Sequence, residues 1–296
     1  GDWSSDVCSS DLTSSSSPGV SLKQEGITYI AGAELPCLVV NVVRGGPGLG
    51  TIQPAQSDYF QATKGGGHGD YRLIVLAPAS VQEMYDFVEL GFDLAFKYRN
   101  PVQIQSDGVI GQMMEKVTVG DFKPRLTNEE VIKRYGSWAT TGKPASRERN
   151  IITSLDLDAY RQEQFNLKLQ RKYKEIEEKE VRFEKIACDD ADYLLVAYGS
   201  SSRICQKAIE IAREKGIKVG LLRPITLFPY PTKAIQAMLG QVKGILAVEM
   251  SAGQMVEDVR LAVEGKVKVQ HYGRMGGVIP TPNEVVKALE EQIIKG

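Results

Sequence analysis

Short solid apolar runs alternate along this chain with longer stretches of helical period. Cys37-Leu38-Val39-Val40-Asn41-Val42-Val43 and Leu73-Ile74-Val75-Leu76 have strand length and almost no polar face, which predicts strands buried on both sides. Residues 102–106 resume that pattern, with Asp107-Gly108 as the closing turn. Between the runs, residues 21–33 carry helical spacing and residues 57–63 a short helix. Ser80 and Glu83 form a capping box for a helix running to about Tyr98. Strand and helix in this order predict a parallel sheet covered on both faces.

The pattern weakens over residues 117–149, where only Thr127 and Glu130 announce a short helix. Residues 155–185 are long, charged and helical, with Tyr160, Phe165, Leu169, Tyr173 and Ile176 near one face. They are expected to connect two domains, their charges forming a solvated face. A second alternation follows: strand 193–198, helix 203–215, strand 219–222, helix 232–239, strand Gly244–Glu249, helix 254–263 and strand 267–272. Thr281-Pro282-Asn283-Glu284 joins a capping box to proline at the first helical position, which starts a final helix.

The expected division is an α/β domain over residues 13–118, a linker region over 119–186 and a second α/β unit over 187–296. Residues 1–12 follow neither rhythm and lack the apolar core and basic start of a signal peptide. Their order resembles a translated sequencing adapter, so we expect them to be foreign and the first domain to begin, incomplete, near Thr13.

At 296 residues there is material for two cores, and a formal charge of −1 argues against a nucleic-acid surface as the main business. No uninterrupted apolar stretch approaches the roughly 18 residues of a membrane span. Cys8, Cys37, Cys188 and Cys205 are widely separated and form no CxxC pair, which fits a reduced, cytoplasmic protein without cysteine-held clusters.

Candidate chemistry gathers in loops. Arg44-Gly45-Gly46-Pro47-Gly48-Leu49-Gly50 follows a predicted strand, where ligands of open parallel sheets collect. Four glycines in six residues let the backbone approach another group, and Arg44 offers a fork of donors for a carboxylate or phosphate. A turn with a solvated arginine explains the same residues equally well. Thr13-Ser14-Ser15-Ser16-Ser17-Pro18-Gly19 and Gly199-Ser200-Ser201-Ser202 either receive anions or cap helices, with capping preferred. No dinucleotide fingerprint, P-loop or nucleophile elbow occurs, and with only His68 and His271 a hydrolase triad or metal hydrolase has little to stand on.

Residues 13–296 resemble the α subunits of 2-oxoacid:ferredoxin oxidoreductases, nearest the branch that uses 3-methyl-2-oxobutanoate (2-ketoisovalerate). The resemblance rests on the stretch from Thr13 to Glu25, on Arg44-Gly45-Gly46-Pro47, and on Gly66-Gly67-His68-Gly69-Asp70. Tyr198-Gly199-Ser200 and Leu222-Arg223-Pro224-Ile225-Thr226-Leu227-Phe228-Pro229 are similar to the transketolase C-terminal domain. It implies a thiamine-diphosphate-binding, pyrimidine-type parallel-sheet α/β domain, incomplete at its N-terminus, followed by a transketolase C-terminal-like α/β domain.

The activity so implied is oxidative decarboxylation of a branched-chain 2-oxoacid to its acyl-CoA, with electrons passed to ferredoxin. Thiamine diphosphate would be shared with a partner β subunit, while Mg²⁺ and iron–sulfur clusters would sit on partner β, γ and δ subunits. Arg44 would pair with the substrate carboxylate, with Gln53 and His68 near the substrate and Ser16, Ser17 and Gly19 beside the pyrimidine. The glutamate that activates the cofactor belongs upstream of Thr13 in such proteins, so this chain is expected to be inactive alone and even with partner subunits. A non-catalytic assembly subunit and the β component of a lipoamide-linked 2-oxoacid dehydrogenase are the alternatives.

Overall fold

The computed structural model describes residues 11–121, 124 and 126–296, so the expectation of a foreign segment falls outside the described residues as far as Ser10. The first half contains β1 (Asp11–Ser15), α1 (Ser17–Leu22), α2 (Gln24–Gly32), β2 (Cys37–Val43), α3 (Tyr59–Thr63), β3 (Ile74–Leu76), α4 (Val81–Tyr98), β4 (Pro101–Asp107) and α5 (Gly108–Gln112). Next come α6 (Asn128–Tyr135), α7 (Ala159–Lys179) and β5 (Phe183–Ile186). The remainder is β6 (Tyr193–Val196), α8 (Gly199–Glu214), β7 (Val219–Pro224), β8 (Thr226–Phe228), α9 (Thr232–Gln236), β9 (Gly244–Glu249), α10 (Met255–Val263), β10 (Lys268–Gly273) and α11 (Pro282–Leu289).

Two five-stranded sheets result, ordered β1-β2-β4-β3-β8 and β10-β9-β6-β7-β5. Each is parallel except for one antiparallel edge strand, β8 against β3 and β5 against β7. The solid apolar runs lie centrally: every residue of β4 is buried, and β2 is buried at all but Val42. Strands covered on both faces need no polar alternation, which is why these runs were readable as strands.

One face of the first sheet packs Leu38, Val40, Ile74, Leu76, Val102 and Ile104 against α4 and α7. Its other face joins α2, α3 and the second sheet in one continuous apolar cluster that includes Val39, Tyr59, Val75, Tyr198 and Leu227. The second sheet's outer face is closed by α8 and α11.

Several expectations are corrected here. The single helix over residues 21–33 is two, α1 and α2, meeting at Lys23. At α4, Ser80 accepts the Glu83 N–H (3.1 Å), but the Glu83 carboxylate does not return to Ser80. It accepts the Ala79 N–H (2.7 Å) and pairs with Arg223 of β7. The long charged segment is helical only as α7, and its end is the edge strand β5. Far from being a bare connector, α7 buries Leu169, Tyr173 and Ile176 against the first sheet, while Tyr160 is exposed. No described helix is long and apolar enough to cross a membrane.

Candidate functional site

The Arg44 loop leaves the carboxyl end of β2 and turns back on itself. Arg44 makes an antiparallel bridge with Pro54. Gly45 donates to the Gln53 carbonyl (2.9 Å) and Thr51 to the Gly45 carbonyl (2.8 Å), so Arg44 and Gln53 stand at the base of a closed loop. Gly50 has φ +53°, and a Cβ there would fall 1.8 Å from the Gly45 oxygen, so only glycine closes this turn. The Arg44 side chain is half-buried, and its Nε–H is shielded from solvent without an acceptor. Such a donor is costly unless it meets a partner, which distinguishes it from the solvated arginine of a plain turn.

Ser17 comes to the same place from α1. Its hydroxyl accepts the Arg44 backbone N–H (3.2 Å) and donates to the Arg44 carbonyl (3.3 Å). Ser16 occupies the capping position of α1, yet its side chain takes no backbone N–H and stays available. Gly19 has a packing reason for its size, because a Cβ would lie 1.9 Å from the Ser15 Oγ. The fold therefore brings Ser16, Ser17, Arg44 and Gln53 to the carboxyl edge of β1 and β2. His68 has no described contact with these four: exposed, it meets Tyr29 of α2 edge-on with ring centroids 6.4 Å apart.

The second unit supplies residues that sequence reading missed. The turn after β10 packs on the Arg44 loop, with Thr51 donating its hydroxyl to the Gly276 carbonyl (3.2 Å). Two adjacent glycines just past a strand's carboxyl end were the available signal, the same one that drew notice to Arg44. Nearby, Gln56 is buried and ties the units together: it donates to the Tyr198 carbonyl (2.9 Å) and accepts from Ser201 Oγ (2.6 Å) and Met250 N (3.0 Å).

The N-terminus of α8 is occupied as well. Ser200 donates its hydroxyl to Asp107 Oδ1 (2.8 Å), so the anion at this helix start is a carboxylate of the chain itself. Burial pushes the Asp107 carboxyl up, against the hydrogen bonds from Ser200, Val109 and Ile110. His271 takes no part in a nucleophile relay: its Nε2 lies 3.7 Å from Glu249, whose carboxylate accepts the Met255 and Val256 N–H groups at the start of α10. Burial pushes the imidazole down, opposed by Glu249.

One cavity lies away from the Arg44 loop. A space of about 670 Å³ opens among α7, β8 and α9, lined by Arg72, Phe183, Phe228, Tyr230 and Lys233. The Lys64–Asp258 ion pair occupies part of its wall. None of the six candidate residues lines it, and its cations are matched by Glu177, Glu178 and Asp258. The convergence of the unpaired Arg44 Nε–H with the uncommitted Ser16 hydroxyl favours the Arg44 loop as the site.

The model of the pyruvate flavodoxin/ferredoxin oxidoreductase family, thiamine-diphosphate-binding, matches residues 10–184. The chain belongs to that family. Residues 191–285 match the family's pyruvate:ferredoxin oxidoreductase core domain II. The chain is 50% identical over 281 residues to the ketoisovalerate oxidoreductase subunit VorB of Methanothermobacter thermautotrophicus, covering 95% of this chain and 77% of the relative. The 2-oxoglutarate synthase subunit KorA of Methanothermobacter marburgensis is 33% identical over 304 residues, covering 94% of this chain and 79% of that one.

Among solved structures, the 2-oxoglutarate:ferredoxin oxidoreductase of Magnetococcus marinus, with 2-oxoglutarate, coenzyme A and succinyl-CoA bound, superposes with a TM-score of 0.76 at 26% identity. The match covers 95% of this chain and 53% of that one. A split-gene transketolase, described as an inactive tetramer, has the same fold at a TM-score of 0.55 and 13% identity. The chain is thus a subunit of the 2-oxoacid:ferredoxin oxidoreductase type, with the two α/β units expected of it.

Proposed function

We propose that this chain is the α subunit of a thiamine-diphosphate-dependent oxidoreductase that decarboxylates a branched-chain 2-oxoacid, forms the acyl-CoA and passes electrons to ferredoxin. One observation carries the site: the buried, unpaired Nε–H of Arg44 at the carboxyl end of β2, with Ser17 locked to its backbone. The likeness to a ketoisovalerate oxidoreductase subunit at 50% identity supports the branched-chain substrate.

The chain's share of the chemistry is binding and orientation. Arg44 holds the substrate carboxylate through charge-assisted hydrogen bonds, and the Gln53 amide borders the substrate from the other end of the closed loop. Ser16, whose hydroxyl is uncommitted, and Ser17 fit one side of a polar heterocycle such as the pyrimidine of thiamine diphosphate. The cofactor, when bound, supplies carbanion stabilisation at the keto carbon. His68, whose described contact is with Tyr29, is given no part in this reading.

Among the described residues, no group of three or more His, Cys, Asp or Glu is placed to hold a metal ion. Partner β, γ and δ subunits complete the proposed enzyme, contributing the diphosphate–Mg²⁺ site and the iron–sulfur path.

In the complex assembled with a full-length subunit, Arg44→Ala should lower kcat/KM for 3-methyl-2-oxobutanoate by roughly 30- to 150-fold, the loss of about 2–3 kcal/mol from a charge-assisted contact. Thiamine diphosphate affinity should stay within about twofold of wild type. Unchanged substrate kinetics would remove Arg44 from the site. Purification of the chain with a lipoyl core rather than with an iron–sulfur subunit would overturn the assignment of partners.

A further inference from the structure

The Arg44 loop has little apolar anchorage. Leu49 and Ile52, its two large hydrophobic residues, are 84% and 74% exposed, so burial does not hold the loop in place. Its internal bonds close it on itself but leave open how it is aimed. The described hydrogen bond from residues 45–53 to the second unit is the one from Thr51 Oγ1 to the Gly276 carbonyl. The same Thr51 oxygen accepts the Gln53 N–H (3.2 Å), so a single hydroxyl fixes Gln53 and tethers the loop at once.

The glycines on both sides make that contact possible. Gly277 has φ +103°, and a Cβ there would come within 2.3 Å of the Gln53 Cβ and 2.9 Å of Thr51 Oγ1. A Cβ on Gly45 would lie 2.8 Å from the Gly276 carbonyl carbon. Here two backbones touch through positions that tolerate no side chain, next to the residue proposed to border the substrate.

We propose that Thr51 and Gly277 are positioning residues, a latch by which the second unit aims the Arg44 loop, and that Gly277 sets where Gln53 stands. The latch follows from geometry alone, while its effect on substrate choice rests on the function proposed above. An untethered loop must be ordered anew each time substrate binds, at the entropic expense of fixing its backbone. That loss falls on substrate binding, so KM rises while kcat holds. Gly277 acts differently, because a methyl group there displaces Gln53 and changes the space beside the keto acid's side chain.

The test uses the oxidoreductase assembled with a full-length subunit carrying Thr51→Val, which keeps shape but loses the hydroxyl, Thr51→Ser, which keeps the hydroxyl, or Gly277→Ala. Two readouts are compared: hydrogen exchange of residues 45–53 without substrate, and kcat and KM for 3-methyl-2-oxobutanoate and for pyruvate. Thr51→Val should speed exchange and raise KM for both acids, each by about tenfold, with kcat within about twofold. Thr51→Ser should restore both.

Gly277→Ala should shift the ratio of the two KM values by about fivefold or more. If it fails to fold, as its melting curve would show, the Thr51 pair carries the test. Exchange unchanged in Thr51→Val overturns the latch whatever the enzyme's substrate. Faster exchange with unmoved KM overturns the positioning role. Arg44→Ala with wild-type kinetics overturns the proposed substrate site while leaving the latch to stand or fall by exchange.

Discussion

Asp107 and Glu34 are two carboxylates that the fold treats in opposite ways. Asp107 is buried at 2% exposure between the units, where it receives Ser200 from one side and the Val109 (2.8 Å) and Ile110 (3.3 Å) N–H groups from the other. Burial outweighs those bonds and holds its carboxyl above the ordinary 3.8. The stability it lends is therefore complete below that value, and part of it is lost as the pH rises through the raised one. Asp107→Asn keeps an acceptor without the charge and should flatten the fall of the urea midpoint as the pH rises above 3.8. Asp107→Ala leaves Ser200 and the first turn of α5 unmet and should cost about 3 kcal/mol at neutral pH. Glu34 is also buried, which pushes its carboxyl up, but Lys168 and Lys172 reach it from α7 and bring it below 4.5. Its contribution is present above 4.5 and lost as the pH falls, so Glu34→Gln should remove part of the acid-side decline of the midpoint. A midpoint–pH curve of Glu34→Gln that parallels wild type would show these ion pairs to be idle.

At the scale of elements, α7 makes the sharpest test of what charge conceals. Ten of its 21 residues are charged, yet Ile176 is fully buried against the first sheet and Tyr160 is 82% exposed. Ile176→Ala should destabilise the protein by about 3 kcal/mol, whereas Tyr160→Ala should stay within about 0.5. Equal small effects in denaturant titrations would return α7 to being a connector. Elements whose signal is local were legible: the apolar runs of β2, β3 and β4, and the capping box at Thr281, whose two reciprocal bonds are both present. Those whose identity depends on a distant partner were not. β8 has three residues and becomes a strand only because β3 offers it an open edge. β5, exposed along most of its length, is a strand only because β7 lies beside it. The site divides the same way. Arg44 and Ser17 lie at strand and helix ends that announce themselves, but that Thr51 faces Gly276, or that Asp107 fills the start of α8, requires the two units to be in contact.

That contact governs the whole molecule. β8 follows β7 of the second sheet in the chain, yet it completes the first, pairing Thr226 and Phe228 with β3. Leu227 between them is buried in the apolar cluster that runs unbroken from one sheet to the other. Neither unit can unfold without stripping an edge strand, and with it buried apolar surface, from its neighbour. Gln56 adds a polar tie in the same interface, with three partners on the second unit that no solvent reaches. Replacing it by leucine leaves the Ser201 hydroxyl and the Met250 N–H without their partner, and the Tyr198 carbonyl with the Ser202 N–H alone, a loss of about 3 kcal/mol. The shared strand and core remain, so the variant should unfold at lower urea but still in one step. Hydrogen exchange measured under rising urea, separately for β2 and β4 and for β6 and β9, distinguishes the cases. Both pairs of strands should lose protection together in wild type and in Gln56→Leu. Separate losses in wild type would mean that β8 does not join the units into one folding body, and the Arg44 loop would then be aimed by a neighbour free to leave it.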